Sequence, residues 1–265
     1  MKNLTRQEKI IHMLLDKTTL SVRALEEYLT VSSWTIRRDL DELVSSGWVV
    51  REYGKVTLVD RDAVSSFVAP ESIEHNDTSF AKVLVGVATA RLIQHGQNIV
   101  MAAGTTTYEV ARALLKRDVH CHVVTNGLAI ALELSRSRKI NVTCTGGEVN
   151  GAYQTMTGSL VERAIQKHYF DMAIIGVGGI TVEQGLTVNS AVNATALSMM
   201  LEHSKHSVVA TDHSKFGRTK FAHIRSLEIV DTIVTDIPPD AVLKTYLSIE
   251  GIRLVVAGRT HGRND

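Results

Sequence analysis

Residues 98–115, NIVMAAGTTTYEVARALL, decide the fold of the larger part of the chain. Three apolar residues lead into a polar turn with one glycine and three threonines, and a helical pattern follows. A strand, a sharp turn and a helix in this order are typical of an α/β protein. The N–H groups at the start of such a helix can donate to an anion, and so can the hydroxyl groups beside them. The stretch therefore predicts a phosphate-binding turn, formed by Gly104, Thr105, Thr106 and Thr107.

The alternation of strand and helix continues from residue 79 to the end of the chain. Seven apolar, β-branched segments are the candidate strands, with helical patterns between them: 98–102, 122–125, 141–145, 172–175, 207–211, 233–235 and 253–256. Such strands are typical of a parallel sheet that is covered by helices on both faces. We predict a mostly parallel, open-sheet α/β effector-binding domain over residues 79–257, followed by a frayed tail over 258–265.

Polar or glycine-rich turns follow several of these strands. The carboxyl ends of parallel strands meet in one crevice, so residues in these turns are expected to lie close together. Lys215, after the fifth strand, would supply a mobile cation for a phosphate or a carboxylate. Each glycine alone is explained by ordinary turn chemistry and Lys215 alone by a surface position, but their repetition favours a binding site. The residues concerned are Thr125, Asn126, Gly146, Gly147, Gly176, Gly178 and Lys215.

Residues 1–59 have a different pattern, with three short helices followed by a hairpin. Thr5 and Glu8 have the spacing of a capping box for the first helix. Ser21 can cap a second helix over 22–29, and Gly47 follows a third helix over 33–46. Two short strands on either side of residues 53–54 complete a winged helix-turn-helix domain. Residues 60–78 are rich in Ser and mixed charges, which indicates a linker.

The third helix has two unlike faces. Ile36, Leu40 and Leu43 form one apolar stripe that must pack inward, whereas Trp34 and Arg38 fall on the opposite face. Such a polar and aromatic face suits the major groove of DNA, with phosphate contacts from Arg51 and Lys55 in the wing. The alternative is a protein–protein module with a salt-bridged surface, since Arg37 and Asp41, and Arg38 and Glu42, are four residues apart. The predicted DNA contacts are Ser32, Ser33, Trp34, Thr35, Arg37, Arg38, Arg51 and Lys55.

The bulk composition excludes several classes of protein. The net charge of +1 offers no global attraction to nucleic acid, so DNA must be bound by a local surface. The chain has two cysteines, outside any C-x-x-C spacing, which argues against a disulfide framework and fits a reducing compartment. The N-terminus lacks the apolar core of a signal peptide, and we find no apolar run long enough to span a membrane. We therefore expect a cytoplasmic protein that does not bind membranes.

Two groups of motifs resemble one known family. VSSWTIRRDLDELVSSGWVVREYG, residues 31–54, is similar to the recognition helix and wing of the DeoR-type bacterial transcriptional regulators, although Lys55 stands where the family has a second glycine. AGTTTYEVARAL, VVTNGLAIALEL, CTGGEV, FDMAIIGVGGIT, GLTVN and ATDHSKFGR resemble successive blocks of the DeoR-type effector domain. DHSKFGR closely resembles the same block in the glycerol-3-phosphate repressor branch of the family.

The resemblance implies a DNA-binding regulator with a sugar-linked ligand. Its effector domain is related in fold to ribose-5-phosphate isomerase and glucosamine-6-phosphate deaminase, which implies a phosphorylated sugar or sugar acid as the effector. The double-stranded DNA operator is expected to be read by a homo-oligomer, because symmetric dimers usually read DNA half-sites. We therefore expect a ligand-responsive regulator, a repressor of a carbohydrate or sugar-acid catabolic operon.

Catalysis is not expected, because the carboxylates that it needs are missing from the motifs. Sugar-phosphate isomerisation requires a carboxylate base near the substrate. The turn of IIGVGGIT has no acid before Glu183, and Ala102 stands where the family often has an aspartate. The helix around Val192 and Ala196 lacks the Glu and Lys that the family often shows there. No cofactor or metal is expected, since the histidines do not form a closed ligand set. An isomerase-like enzyme fused to a DNA-binding module and a pure interaction module are the alternatives.

Overall fold

The computed structural model describes residues 6–17, 19–45, 47–59, 80–150 and 154–257. The predicted linker over 60–78 and the predicted tail over 258–265 lie outside the described residues. So does Thr5, and with it the predicted capping box. Within the described ranges, no helix is both long enough and apolar enough to cross a membrane.

The N-terminal part consists of three helices and a small antiparallel sheet. The prediction of three helices and a hairpin is confirmed. The structure adds a short strand, Thr19–Ser21, which pairs with the second strand of the hairpin so that the sheet order is β1-β3-β2. This strand is too short to leave a periodic signal in the sequence. The elements are α1 (Arg6–Lys17), β1 (Thr19–Ser21), α2 (Val22–Leu29), α3 (Ser33–Ser45), β2 (Val49–Glu52) and β3 (Lys55–Leu58).

The predicted apolar stripe of α3 holds this part together. Ile36, Leu40 and Leu43 are buried and belong to one cluster with Ile10 and Leu14 of α1. The hairpin turns over two residues, Tyr53 and Gly54, which both have positive φ, +49° and +74°. A two-residue turn of this kind matches the twist of antiparallel strands, so it holds the wing in a defined register.

The C-terminal part is built on a seven-stranded parallel sheet with the order β15-β14-β12-β9-β4-β5-β6. All seven strands lie on the segments predicted from the sequence, and the predicted open parallel α/β fold is confirmed. The elements are α4 (Phe80–Ala90), β4 (Asn98–Met101), α5 (Thr105–Leu115), β5 (Cys121–Thr125), α6 (Leu128–Leu134), β6 (Ile140–Cys144), β7 (Glu148–Asn150), β8 (Thr155–Thr157), α7 (Ser159–Gln166), β9 (Met172–Ile175), β10 (Gly179–Thr181), β11 (Gly185–Val188), α8 (Ala191–Glu202), β12 (Ser207–Ala210), β13 (Ala222–Arg225), β14 (Thr232–Thr235), α9 (Ala241–Ile249) and β15 (Arg253–Val256).

Helices cover both faces of the large sheet. Ile99 and Met101 of β4 pack into one apolar cluster with α4, α5 and α6, whereas Val100 packs into a second cluster with α7, α8 and α9. Successive side chains of a strand point to opposite faces, so each face builds its own core. Two small antiparallel sheets, β10-β11-β13 and β7-β8, were not predicted from the sequence. Their strands have three or four residues each, and their pairing is decided by tertiary contacts rather than by periodicity.

Candidate functional site

The N-terminal end of α3 presents the predicted DNA-contacting residues to solvent. Ser32 precedes the helix, and its Oγ accepts from the backbone N–H of Thr35 at 3.3 Å and lies 2.8 Å from the Thr35 hydroxyl. This arrangement satisfies an otherwise unpaired N–H group at the helix start. Ser33, like Ser32, is exposed. The two serines and Thr35 therefore lie together at one end of the candidate surface.

A groove on the outer face of α3 collects the aromatic and charged residues. The Trp34 side chain is 70% exposed, which is unusual for a residue of this size. Arg37 and Arg38 are exposed beside it, and Arg38 pairs with Glu42 over 3.4 Å. The groove is lined by Trp34, Arg37, Arg38, Asp41, Glu42 and Ser45. An aromatic ring with two cations on the exposed side of a helix-turn-helix helix suits contact with base edges and phosphates.

An ion pair links the wing to α3, and it is not the pair that the spacing of Arg37 and Asp41 suggested. Asp41 pairs with Arg51 of the wing over 3.0 Å, and Arg37 makes no ion pair within the described part of the chain. The partner of Asp41 is therefore Arg51 and not Arg37, because β2 passes close to the exposed side of α3. Lys55 is exposed on β3, opposite Glu52.

The orientation of α3 is fixed by a charge pair that sequence reasoning did not identify. Asp39 is buried on α3 although the two residues before it in the sequence, Arg37 and Arg38, are exposed. Its carboxylate accepts two hydrogen bonds from the guanidinium of Arg6 on α1, one of them 2.9 Å long. The hydrogen bond with Asp39 raises the pKa of Arg6. This pair sets how α3 lies on α1 and therefore which face meets solvent.

A second candidate site is a cavity of about 610 Å³ at the carboxyl edge of the large sheet. The chain runs from β4 to β5 and β6 in one direction, and from β9 to β12, β14 and β15 in the other. The cavity lies where these directions part, which is the usual position of a ligand in an open α/β sheet. The lining residues are Lys82, Ala103, Gly104, Thr105, Thr106, Tyr108, Gly127, Ala129, Ile130, Gln154, Thr155, Gly176, Val177, Gly178, Val188, Asn189, Ser190, Asn193, Lys215 and Lys220.

The predicted phosphate-binding turn forms part of this cavity. Gly104, Thr105 and Thr106 line it, and α5 begins there without a side-chain hydrogen bond to its first N–H groups. Those N–H groups are consequently available to an anion. Thr107 does not line the cavity, because its side chain is buried beneath the turn and its hydroxyl donates to the carbonyl oxygen of Gly104 at 3.0 Å.

Two of the predicted contact residues lie behind the cavity and hold its backbone in place. The Asn126 side chain is buried, accepts from the N–H of Ala103 at 2.8 Å, and donates to the carbonyl of Met156 at 3.2 Å. Thr125 is fully buried, and its hydroxyl oxygen accepts from the N–H of Gly127 at 3.0 Å. Neither residue lines the cavity.

The predicted glycines divide between the cavity and the packing of the chain. Gly176 and Gly178 line the cavity, whereas Gly146 and Gly147 do not. A Cβ atom on Gly147 would lie 2.4 Å from the carbonyl oxygen of Thr157, so a glycine is required there by the close approach of two backbone segments. The glycines after β9 therefore shape the cavity, and Gly147 after β6 allows β8 to approach.

Three lysines line the cavity, of which the sequence analysis identified one. Lys215 lies in the 3₁₀ turn after β12, as expected. Lys82 is only 6% exposed and comes from α4, which packs tightly on α5. Lys220 lies over Gly178, since a Cβ atom there would be 2.9 Å from its Cγ. Lys82 stands out in the sequence as a lysine within the apolar stretch FAKVLVGVATA. Only the packing of α4 shows that it reaches the cavity.

The charge of the cavity is positive. Within the described part of the chain, no Asp or Glu lines it. The nearest relevant acid is Asp212, which is buried and accepts from the N–H of Ser214 at 3.0 Å. Burial alone would raise the pKa of Asp212, but the hydrogen bonds from Ser214 and the charges of Lys215 and Lys82 outweigh it and lower that pKa. The described lining of the cavity therefore suits an anion.

Other chemistries find little support around this cavity. Among the described residues, no three His, Cys, Asp or Glu side chains are grouped so that they could hold a metal ion. The backbone N–H groups of the turn and the three lysines are all donors, as phosphate and carboxylate groups require. Anion binding is the chemistry that this arrangement can perform.

Helix α4 connects the cavity to the helix-turn-helix. Phe80, two residues before Lys82, stacks on Trp48 with ring centroids 3.6 Å apart and an angle of 9° between the rings. Leu84 also packs there, with its Cδ1 atom 3.7 Å from the position of a Cβ on Gly47. The N–H of Trp48 donates to the carbonyl of Leu43 in α3 at 2.9 Å. One helix therefore contacts both the cavity and the segment that follows α3.

Comparison with known protein families identifies the family of each of the two parts of the chain. Residues 6–62 match the family described as the DeoR-like helix-turn-helix domain, and residues 78–237 match the DeoR C terminal sensor domain. The chain is 32% identical to a putative aga operon transcriptional repressor of Escherichia coli O157:H7, over 94% of this chain and 90% of the relative.

Two further relatives also align over most of their length. A glycerol-3-phosphate regulon repressor of Escherichia coli K12 is 29% identical over 96% of this chain and 99% of its own. An L-fucose operon activator of the same strain is 31% identical over 87% of this chain and 94% of its own. All three relatives are therefore similar to this chain in both of its parts.

Proposed function

The chain belongs to the DeoR family of transcriptional regulators, and on this premise we propose that it represses a carbohydrate or sugar-acid catabolic operon in response to a phosphorylated metabolite. The carrying observation is that one helix, α4, contacts both a cationic cavity and the base of the helix-turn-helix. The names of its relatives, which include two repressors and one activator of sugar-linked operons, support this class of target genes.

In this proposal α3 reads the operator. Trp34, Arg37 and Arg38 enter the major groove, where arginine can contact guanine and an aromatic ring can pack on a thymine methyl group. Arg51 and Lys55 of the wing, and Ser32, Ser33 and Thr35 at the helix start, contact phosphates. Since operators are usually read as paired half-sites, the active form is a homo-oligomer.

DNA binding by α3 is tested by removing its two arginines. Arg37→Ala/Arg38→Ala should weaken binding to a genomic operator fragment by at least about tenfold, because each base contact is worth roughly 1–3 kcal/mol. Lys244→Ala/Arg253→Ala is the matched control, since it removes two exposed positive charges of the sensor domain that lie outside α3 and the wing. Equal loss of affinity in both variants, or in neither, would contradict the assignment of α3.

The cavity is proposed to bind the effector through its phosphate. The N–H groups at Thr105 and Thr106 and the ammonium group of Lys82 surround one anion, while Lys215 and Lys220 contact the rest of the ligand or a second anionic group. The absence of any Asp or Glu among the described lining residues supports binding without turnover, because isomerisation needs a base. Stabilisation of the protein by sugar phosphates, but not by their unphosphorylated parents, in a thermal-shift assay is the expected result. Stabilisation by the free sugars alone would contradict a phosphate site.

Helix α4 is proposed to transmit effector binding to the DNA-binding part. An anion that attracts Lys82 acts on the same helix turn that carries Phe80, and Phe80 stacks on Trp48 at the base of α3. A ligand changes DNA affinity only if it binds the two conformations differently, so this contact must differ between them. Trp48→Leu should leave effector affinity intact and reduce the effect of the effector on DNA binding. If the effector changes the DNA affinity of Trp48→Leu as much as that of the wild type, the ring stack takes no part in the mechanism.

A further inference from the structure

We propose that Tyr53, in the turn of the wing, enters the minor groove beside each operator half-site and disfavours guanine there. The proposal rests on the proposed function, since it requires α3 to lie in the neighbouring major groove. It goes further in assigning a residue that selects base pairs outside the reach of α3. The operator then has a preferred flank as well as a core.

The side chain of Tyr53 is fully exposed, with a relative exposure of 103%. Aromatic side chains usually bury much of their surface, either in a core or in an interface. Tyr169 of the sensor domain is also exposed, but its ring stacks on His203 with ring centroids 5.7 Å apart. Within the described part of the chain, no side chain covers the ring of Tyr53, so this ring adds nothing to the packing of the helix-turn-helix.

The backbone at Tyr53 is also unfavourable for a tyrosine. Its φ of +49° lies in the left-handed region, which bulky residues rarely adopt. Asparagine followed by glycine is the preferred pair for a two-residue hairpin turn with positive φ at both positions. Here tyrosine takes the place of the asparagine before Gly54. Neither packing nor the turn accounts for a tyrosine at this position, which favours contact with a partner.

Two contacts hold the wing against both helices of the helix-turn-helix. The N–H of Val22, at the start of α2, donates to the carbonyl oxygen of Gly54 at 3.0 Å. Arg51 pairs with Asp41, which lines the groove on α3. Two residues of strand span about 7 Å, so Tyr53 lies that much further along the wing than Arg51. When α3 occupies a major groove, the turn of the wing meets the minor groove beside it.

The minor groove offers a tyrosine one clear distinction between base pairs. A·T and T·A pairs present only acceptors there, adenine N3 and thymine O2, and the phenolic O–H can donate to either. A G·C pair adds the N2 amino group of guanine, which projects into the groove and meets the ring. The proposed ligand is therefore a flank of A·T pairs on either side of the bases that α3 contacts.

The test measures binding of the full chain to operator DNA by fluorescence anisotropy. The operator is a genomic fragment that the wild type binds, and its core is left unchanged. About five base pairs, half a helical turn, on both sides of each half-site are made all A·T, all G·C or all inosine·C. Inosine lacks the N2 amino group of guanine and matches guanine in the major groove. The wild type should bind the A·T and inosine·C flanks about fivefold more tightly than the G·C flank, the value of one hydrogen bond.

Tyr53→Asn should bind the three operators equally, because it removes the ring and suits the turn. Tyr169→Asn is the matched control, since it removes an exposed tyrosine of the sensor domain and should keep the wild-type preference. Tyr53→Asn should also melt at or above the temperature of the wild type, because asparagine adopts positive φ more readily and no buried contact is lost.

The outcomes separate this inference from the proposed function. A Tyr53→Asn protein that keeps the wild-type preference among the flanks would overturn the inference, whatever its melting temperature. Equal binding of the G·C and inosine·C flanks by the wild type would overturn it as well, because the amino group would then play no part. In both cases the operator is still bound and only this inference fails. If the wild type binds no genomic fragment, the proposed function fails with it.

Discussion

Replacing Lys82 by methionine tests whether α4 takes part in effector binding. Methionine keeps most of the apolar stem of the buried side chain and removes its charge, so the packing of α4 on α5 is preserved. Two unit charges 4 Å apart interact by about 4 kcal/mol at the effective dielectric constant typical of partly buried sites. Desolvation of the lysine and the nearby charge of Asp212 reduce this gain, and hydrogen bonds to charged groups contribute roughly 1.5–3 kcal/mol net.

A loss of about 2 kcal/mol corresponds to roughly 30-fold weaker binding. The assay is isothermal titration with whichever of ribose 5-phosphate and glucose 6-phosphate binds the wild type more tightly, together with inorganic phosphate. Lys244→Met removes one exposed positive charge away from the cavity and should bind like the wild type. Both probes should lose affinity for Lys82→Met, since the charge acts on the phosphate itself. Affinity within twofold of the wild type would refute the placement of Lys82 at the phosphate.

Three further predictions concern the elements that support the two sites. Gly86→Ala should lower the free energy of unfolding by about 1–3 kcal/mol in denaturant titration, since a Cβ there would lie 2.6 Å from the backbone carbon of Glu109; an unchanged midpoint would contradict the close approach of α4 and α5. Asp39→Asn should lower the melting temperature and weaken operator binding together, because it removes the charge that Arg6 holds on α3; weaker DNA binding at an unchanged melting temperature would point to a direct DNA contact. The pKa of Asp212 is lowered in the folded protein, so its charge stabilises the fold at neutral pH, and that contribution is lost as the pH falls below about 4. Asp212→Asn should therefore lose less stability on acidification than the wild type. An identical dependence of stability on pH in the two proteins would be evidence against this role.

The large sheet and the packing of α3 could be predicted from the sequence alone. Continuous apolar strands such as 98–102 and 172–175 bury both faces, so their pattern is visible without tertiary information. The buried stripe of Ile36, Leu40 and Leu43 follows equally from the helical period. The short strands β7, β8 and β10 carry no such pattern, since their pairing depends on segments that are distant in the sequence.

The candidate cavity was predicted only in part, because side-chain direction in a turn is decided by the surrounding packing. Gly104, Thr105 and Thr106 line the cavity as the turn suggested, while Thr107 points into the core and donates to the backbone. Lys82 could not be placed from the sequence, since it reaches the cavity only through the packing of α4 on α5.

The effect of the effector on operator affinity tests the central claim most directly. The binding of a fluorescent operator fragment is measured by anisotropy with and without the sugar phosphate that binds the wild type most tightly, for the wild type and for Lys82→Met. The account predicts a change of about five- to 150-fold in the wild-type dissociation constant, the usual range of allosteric coupling, and little change in the variant at the same ligand concentration. A sugar phosphate that binds the wild type and leaves its operator affinity unchanged would contradict the account.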